Sequence, residues 1–88
     1  MLLLFTDHAW DDYLYWQVND PDTLQKINDL IKAIKREPFK GSGKPEALKG
    51  NLAGYWSRRI TGEHRLVYRV SGTRPNQGLT IIQTMFHY

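Results

Sequence analysis

The stretch "DPDTLQKINDLIKAIKREP" leaves room for little except a helix. Asp20 is a good cap, Pro21 suits the first helical position, and Pro38 forces a stop. Between them Leu24, Ile27, Leu30, Ile31 and Ile34 recur at helical spacing as one apolar stripe. A stripe of this kind must be covered by another layer. The later sequence supplies one. "YWSRRI" and "HRLVYRV" flank "TGE" and read as a hairpin. Alternation along the second of these strands sends Leu66, Tyr68 and Val70 to one face, and Arg65, Val67 and Arg69 to the other. "LTIIQTMFHY" reads as the last strand, after the longer turn "SGTRPNQG". Near the start, "LLLF" reads as a short buried strand. Residues 8–19 read as a first helix capped by Thr6 or Asp7, with Trp10, Tyr13, Leu14 and Val18 on its core face. The glycine-rich run "FKGSGKPEALKGNLAGYW" reads as loop. The expected fold is α+β: two N-terminal helices packed on one face of a small, mostly antiparallel sheet, the other face open to solvent. Residues 1–88 read as one domain.

There is no cysteine, which excludes disulfides and thiolate metal sites. The three histidines are isolated, so the expectation is no metal and no cofactor. "MLLLF" is too short for a signal segment and lacks a basic start, and no apolar run approaches membrane length. A cytoplasmic protein is expected. Net charge is only +3, but it is polarised. Residues 58–74 hold five arginines against Glu63, whereas the first thirty residues are acidic. That balance permits an anionic partner without demanding one.

Three titratable residues stand out: Glu46 between Lys44 and Lys49, Arg65 on the presumed open face, and His87 at the end of the last strand. A carboxylate, a guanidinium and an imidazole suffice for phosphodiester cleavage by internal attack. The base takes the 2′-hydroxyl proton, the cation steadies the crowded phosphate, and the acid protonates the leaving 5′-oxygen. Each residue taken singly has an ordinary reading: a solvated loop charge, a strand-surface arginine, a terminal histidine. Spacing does not show that they meet. Tyr55, Trp56, Phe86 and Tyr88 interleave with basic residues, as stacking platforms for single-stranded RNA do, although core packing accounts for at least two of them. His64 can support Arg65, and His8 is read as surface or structure.

"WDDYLYWQ", "KINDLIKAIKREPFKGSGKPEALKGNLAGYWSRRITGEHRLVYRV" and the closing "FHY" closely resemble the YoeB/Txe family of bacterial toxins, within the RelE superfamily. The resemblance covers nearly the whole chain. It implies a RelE-like toxin fold and a ribosome-dependent endoribonuclease that cuts messenger RNA during translation. It implies silencing by a cognate YefM/Phd-type antitoxin, contact with operator DNA only as the toxin–antitoxin complex, and it suggests a homodimer. Carried over by motif, the glutamate of "GKPEALK" makes Glu46 the general base. The arginine of "EHRLVY" makes Arg65 the phosphate-holding cation, and the histidine of the closing pair makes His87 the general acid. Tyr88 would orient the substrate nucleotide, Lys49 and Arg59 would contact phosphates, and Glu63 and His64 belong to the same motif and are counted with the substrate-binding residues.

Two features depart from the family pattern. Many members carry a histidine where this chain has Gly50, and the turn over 71–78 is longer than usual. A non-catalytic RNA- or ribosome-binding module on the same fold, or a co-repressor, is the alternative. A pure binder would need the positive charge but not Glu46 beside it.

Overall fold

The computed structural model describes residues 1–86; His87 and Tyr88 lie outside the described residues. The helix that dominates the sequence runs Pro21–Arg36 (α2). Asp20 caps it, accepting from the Thr23 amide at 3.2 Å and the Thr23 hydroxyl at 2.8 Å. These bonds hold the Asp20 carboxyl below the usual carboxylate range. Ile27, Leu30, Ile31 and Ile34 are buried.

A five-stranded sheet receives that stripe. Its strands are β1 (Leu2–Phe5), β2 (Glu46–Ala47), β3 (Trp56–Arg59), β4 (Arg65–Ser71) and β5 (Gly78–Gln83). They lie in the order β1-β5-β4-β3-β2. The β1–β5 pair is parallel and the rest are antiparallel. Helix α1 (Asp7–Asn19) leads from β1 into α2, and both helices cover one face. Leu66, Tyr68, Leu79 and Ile81 form that face and are fully buried.

Several expectations need correction. The β1 strand forms, but it is an edge, and Leu2 and Leu4 stay 67% and 43% exposed. Pairing explains this: Leu3 and Phe5 sit level with the inward Leu79 and Ile81, which leaves Leu2 and Leu4 on the open face. In α1 the buried residues are Ala9, Asp12 and Trp16 rather than the Trp10–Val18 stripe. Trp10, Leu14 and Val18 are exposed, and Trp10 instead stacks on Tyr13 and meets Phe5 edge-on. The run 39–56 is not all loop. Glu46 and Ala47 form β2, and Gly50–Leu52 is a 3-10 turn. The last strand stops at Gln83, where a bulge leaves Ile82 and Gln83 opposite Val67.

The helix-covered face also holds an arginine. Arg58 is fully buried on the helix side, level with Leu66. Its Nε donates to the Tyr68 hydroxyl at 3.2 Å and its Nη1 to the Ser42 carbonyl at 3.0 Å. Nη2 donates to the carbonyls of Glu37 (2.6 Å) and Lys40 (2.9 Å). One side chain thus closes the loop after α2 onto the sheet. Burial pushes the Tyr68 phenol above its usual value, and Arg58 pulls partly the other way.

Gly43 fits beneath this clamp. Its φ is +85°, and a Cβ there would stand 2.9 Å from Leu30 Cδ2 and 3.1 Å from Arg58 Cβ. Gly50 is also left-handed, with φ +64°, but a Cβ there meets nothing within 4 Å. Both substitutions to alanine carry the left-handed penalty, and only Gly43→Ala adds crowding. Gly43→Ala is expected to cost about 1–3 kcal/mol beyond Gly50→Ala in denaturant unfolding. Equal losses would show that Leu30 and Arg58 yield without strain.

Candidate active site

The sheet face away from the helices is built by strand register, and it is open only in part, since Ser57 and Val67 are buried. Glu46 pairs with Ser57, Ser57 with Val67, and Val67 with Gln83, so these four form one row across the sheet. Paired residues share a face. One step along, Arg59 pairs with Arg65, which sets two guanidinium groups in the neighbouring row. One step the other way, Arg69 lies over the Tyr55 ring at 5.7 Å. Glu46 is exposed, and its Cα is ~12 Å from that of Arg65, two strands and two residues away. A phosphodiester can sit between side chains of this reach. Lys49 is exposed just past β2, before the 3-10 turn.

Arg65 is partly engaged already. Its Nη1 donates to the carbonyls of Thr61 (2.8 Å), His64 (3.1 Å) and Gly62 (3.4 Å). These bonds draw on one of the three nitrogens of a group that carries five N–H donors. They fix the direction of the side chain and tie it to the β3–β4 turn.

His64 is the residue whose setting the sequence least suggests. Its ring lies edge-on against Trp16 at 4.8 Å and tilted against Phe86 at 5.4 Å. Its Nδ1 accepts the Phe86 amide at 2.8 Å, and its Nε2 is 3.3 Å from the Glu63 carboxylate. Glu63 itself is exposed at the turn.

Beyond β5 the chain loses its ladder, and side chains replace it. The Thr84 amide donates to buried Asp12 at 3.0 Å, and the Thr84 carbonyl accepts from Trp16 Nε1 at 3.1 Å. Gln83 Nε2 donates to the Met85 carbonyl at 3.0 Å. The Phe86 carbonyl accepts from the Arg65 amide at 3.1 Å. The segment entering His87 is therefore fastened to Arg65 itself, although the two lie far apart in sequence. The expectations for His87 and Tyr88 fall outside the described residues. Asp12, Trp16 and Gln83 are missed by sequence reasoning, and a buried-side carboxylate in an otherwise ordinary helix gives no advance sign of a partner at Thr84.

The sequence and the fold match a known group of proteins. Residues 5–88 match the family described as the YoeB-like toxin of bacterial type II toxin–antitoxin systems. The chain belongs to the YoeB-like toxin family. Toxin YoeB of Escherichia coli strain K12 is 53% identical over 88 residues, covering all of both chains. The solved YoeB/ParE toxin from Agrobacterium tumefaciens is 60% identical, with a TM-score of 0.98 over the full length of both. YoeB in the heterotetrameric YoeB–YefM complex from Staphylococcus aureus is 46% identical, with a TM-score of 0.87 over 100% of this chain and 99% of that one. As a YoeB-like toxin, the chain is the toxin half of a type II system. The 72–77 turn lies at the end of β4 opposite Arg65, remote from the row of Glu46. Gly50 takes the left-handed backbone that a glycine adopts most readily.

Proposed function

We propose that this YoeB-like toxin is a ribosome-dependent endoribonuclease that cuts messenger RNA without a metal. The observation that supports the reading is the register, which sets Glu46 in the row beside Arg59 and Arg65 on the sheet face away from the helices. Glu46 takes the proton from the ribose 2′-hydroxyl. The 2′-oxygen attacks the adjacent phosphorus while the P–O5′ bond breaks. Arg65 faces the charge that builds on the phosphate oxygens, with Arg59 beside it. His87 gives a proton to the departing 5′-oxygen. The products are a 2′,3′-cyclic phosphate and a 5′-hydroxyl. Tyr88 orients the nucleotide, and Lys49 meets a flanking phosphate.

The partner reading rests on likeness. The Staphylococcus aureus YoeB is held by YefM, and a YefM-type antitoxin is proposed to silence this chain. Operator DNA would be met only as that complex. Among the described residues no helix is long and apolar enough to cross a membrane, and the cytoplasm, where translated messages are, is the proposed location.

The direct test adds purified protein to bacterial cell-free translation of a labelled message and maps new RNA ends by primer extension. Discrete cuts inside the translated region are the expected result. An uncut message from folded protein would leave the binding-module reading, which the engagement of Arg65 with its own turn favours.

Charge makes a second, separate prediction. A groove along α2 is lined by Lys26, Lys32, Arg36 and Arg59 against Asp29. Affinity for vacant ribosomes is expected to fall steeply between 50 and 200 mM salt, through the released counterions of several phosphate contacts. A titration flat over that range would remove the basic surface from the binding mode.

A further inference from the structure

His64 is held largely inside the protein. Its side chain is only 12% exposed, and both ring nitrogens have protein partners. Those partners agree on one proton arrangement. Nδ1 accepts the Phe86 amide, so it carries no proton. Nε2 faces the Glu63 carboxylate, so it carries one. The ring is therefore read as the neutral Nε2–H form.

The ring's proton state bears on the segment that leads into His87. Thr84 is held by Asp12 and Trp16, and Met85 by Gln83. At Phe86 the backbone has two fastenings, the Arg65 amide on its carbonyl and the His64 ring on its N–H. Phe86 has φ +61°, a conformation that a bulky residue adopts only when its surroundings impose it. Among the fastenings of residues 84–86, the bond at His64 is made by a ring nitrogen that accepts only while it carries no proton.

We propose that His64 is a positioning residue. Its neutral Nδ1 holds the Phe86 amide, fixes the point from which the chain presents His87, and releases that point when the ring gains a proton. The inference rests on the ribonuclease reading, in which His87 donates the proton to the leaving oxygen. Protonation turns Nδ1 from acceptor to donor, so it faces the Phe86 N–H with a second N–H, and the bond is lost. The charged and ionisable neighbours do not substitute for it. Glu63 is on the opposite nitrogen, and Arg65 spends its Nη1 on the His64 carbonyl. On α1, Trp16 carries no charge, and the Asp12 carboxylate is occupied by the Thr84 amide and His8. A message held near Arg65 would still bind, but the acid would be misplaced. A misplacement of about 1 Å costs ~10²-fold in rate.

Two measurements on the full chain test this. In the first, the Phe86 amide and the His64 ring protons are followed by NMR from pH 5 to 8, without RNA. His64→Asn identifies the ring signal by its loss. The amide is expected to move with the His64 midpoint in the wild type. In His64→Asn, whose side-chain oxygen can take the place of Nδ1, it is expected to stay put. A wild-type amide indifferent to the His64 titration would overturn the proposal.

The second measurement is cleavage in programmed ribosomes at saturating and limiting toxin. His64→Gln, whose amide reaches toward Nε2 instead, is expected to lose ~10²-fold in maximal rate with half-saturation unchanged. His64→Asn is expected to keep most of the rate and to lose the wild type's decline at low pH. Wild-type cleavage that is unchanged in His64→Gln would overturn the positioning role alone. An amide that follows His64 in a wild type that cuts no message would overturn the ribonuclease reading, and the role of His64 in it.

Discussion

Glu46→Gln is expected to lower message cleavage by about 10²–10⁴-fold while leaving the melting temperature within error of the wild type. The change exchanges one oxygen for an amide nitrogen and keeps the shape, so what it removes is the ability to take a proton. Glu46 is exposed at the sheet edge, and its place in β2 is set by backbone pairing to Ser57, which the amide leaves alone. A structural role would appear as lost stability with cleavage falling in proportion. A base appears as lost cleavage in a protein that still binds ribosomes and unfolds at the same temperature. The measurement is single-turnover cleavage in programmed ribosomes beside a thermal melt of the same preparation. Cleavage within a few-fold of wild type would remove Glu46 as the base. His87→Gln, run in parallel, is expected to lose a similar factor, because the two proton transfers serve the same step.

The largest effect on stability is expected at Arg58. Arg58→Met keeps most of the apolar stem and deletes the guanidinium, leaving the carbonyls of Glu37, Lys40 and Ser42 without the donors they have now. Buried acceptors left unmade cost about 1–3 kcal/mol each, softened by relaxation, and roughly 3–5 kcal/mol in all is expected. For a domain of this size that corresponds to a fall in Tm of roughly 15–30 °C. Arg58→Lys is expected to recover only part, since an ammonium group cannot span a phenol and three carbonyls in one plane. Circular dichroism melts of the three proteins decide it. A loss under about 5 °C for Arg58→Met would mean that water enters and takes over the carbonyls, and that the clamp is not what holds the loop.

These two residues also mark how far the sequence could be read. The α2 helix is legible because cap, proline and stripe all agree. The hairpin is legible because the inward Leu66 and Tyr68 alternate with the outward Arg65 and Arg69. The α1 face misleads, because its inward side includes Asp12, a residue buried only for the sake of an amide 72 positions away. Apolar periodicity counts Trp10 and Leu14 and has no way to weigh a distant backbone donor. The exposure of β1 comes from its place at the sheet edge, which depends on where β5 pairs. Arg58 carried a usable sign. Alternation through "WSRRI" puts it on the same side as Trp56 and Ile60, and a charge on that side has to be met by something. The Glu46 strand is two residues long, below what any period can reveal. For the site, motif resemblance names Glu46 and Arg65, and register then supplies what no spacing could, their place on one face. The tail fastening at Asp12, Trp16 and His64 is legible in neither way, since it joins side chains to backbone groups across the whole chain.

The order in which the sheet can close has a bearing on the chain's own synthesis. β5 is the last strand to be made, yet it lies between β1 and β4, and Thr6 reaches 76 residues forward to the Ile82 carbonyl. While a ribosome is still building the chain, α1 and α2 can form as they emerge, but β1 has no neighbour and the open face has no far side. Parallel pairing over such a separation comes late in folding. Arg65 gains its partner at Phe86 only once the chain has been made through that residue. Closure at β5 thus comes after both helices have been made, and the backbone around Arg65 is among the last parts of the fold to be set.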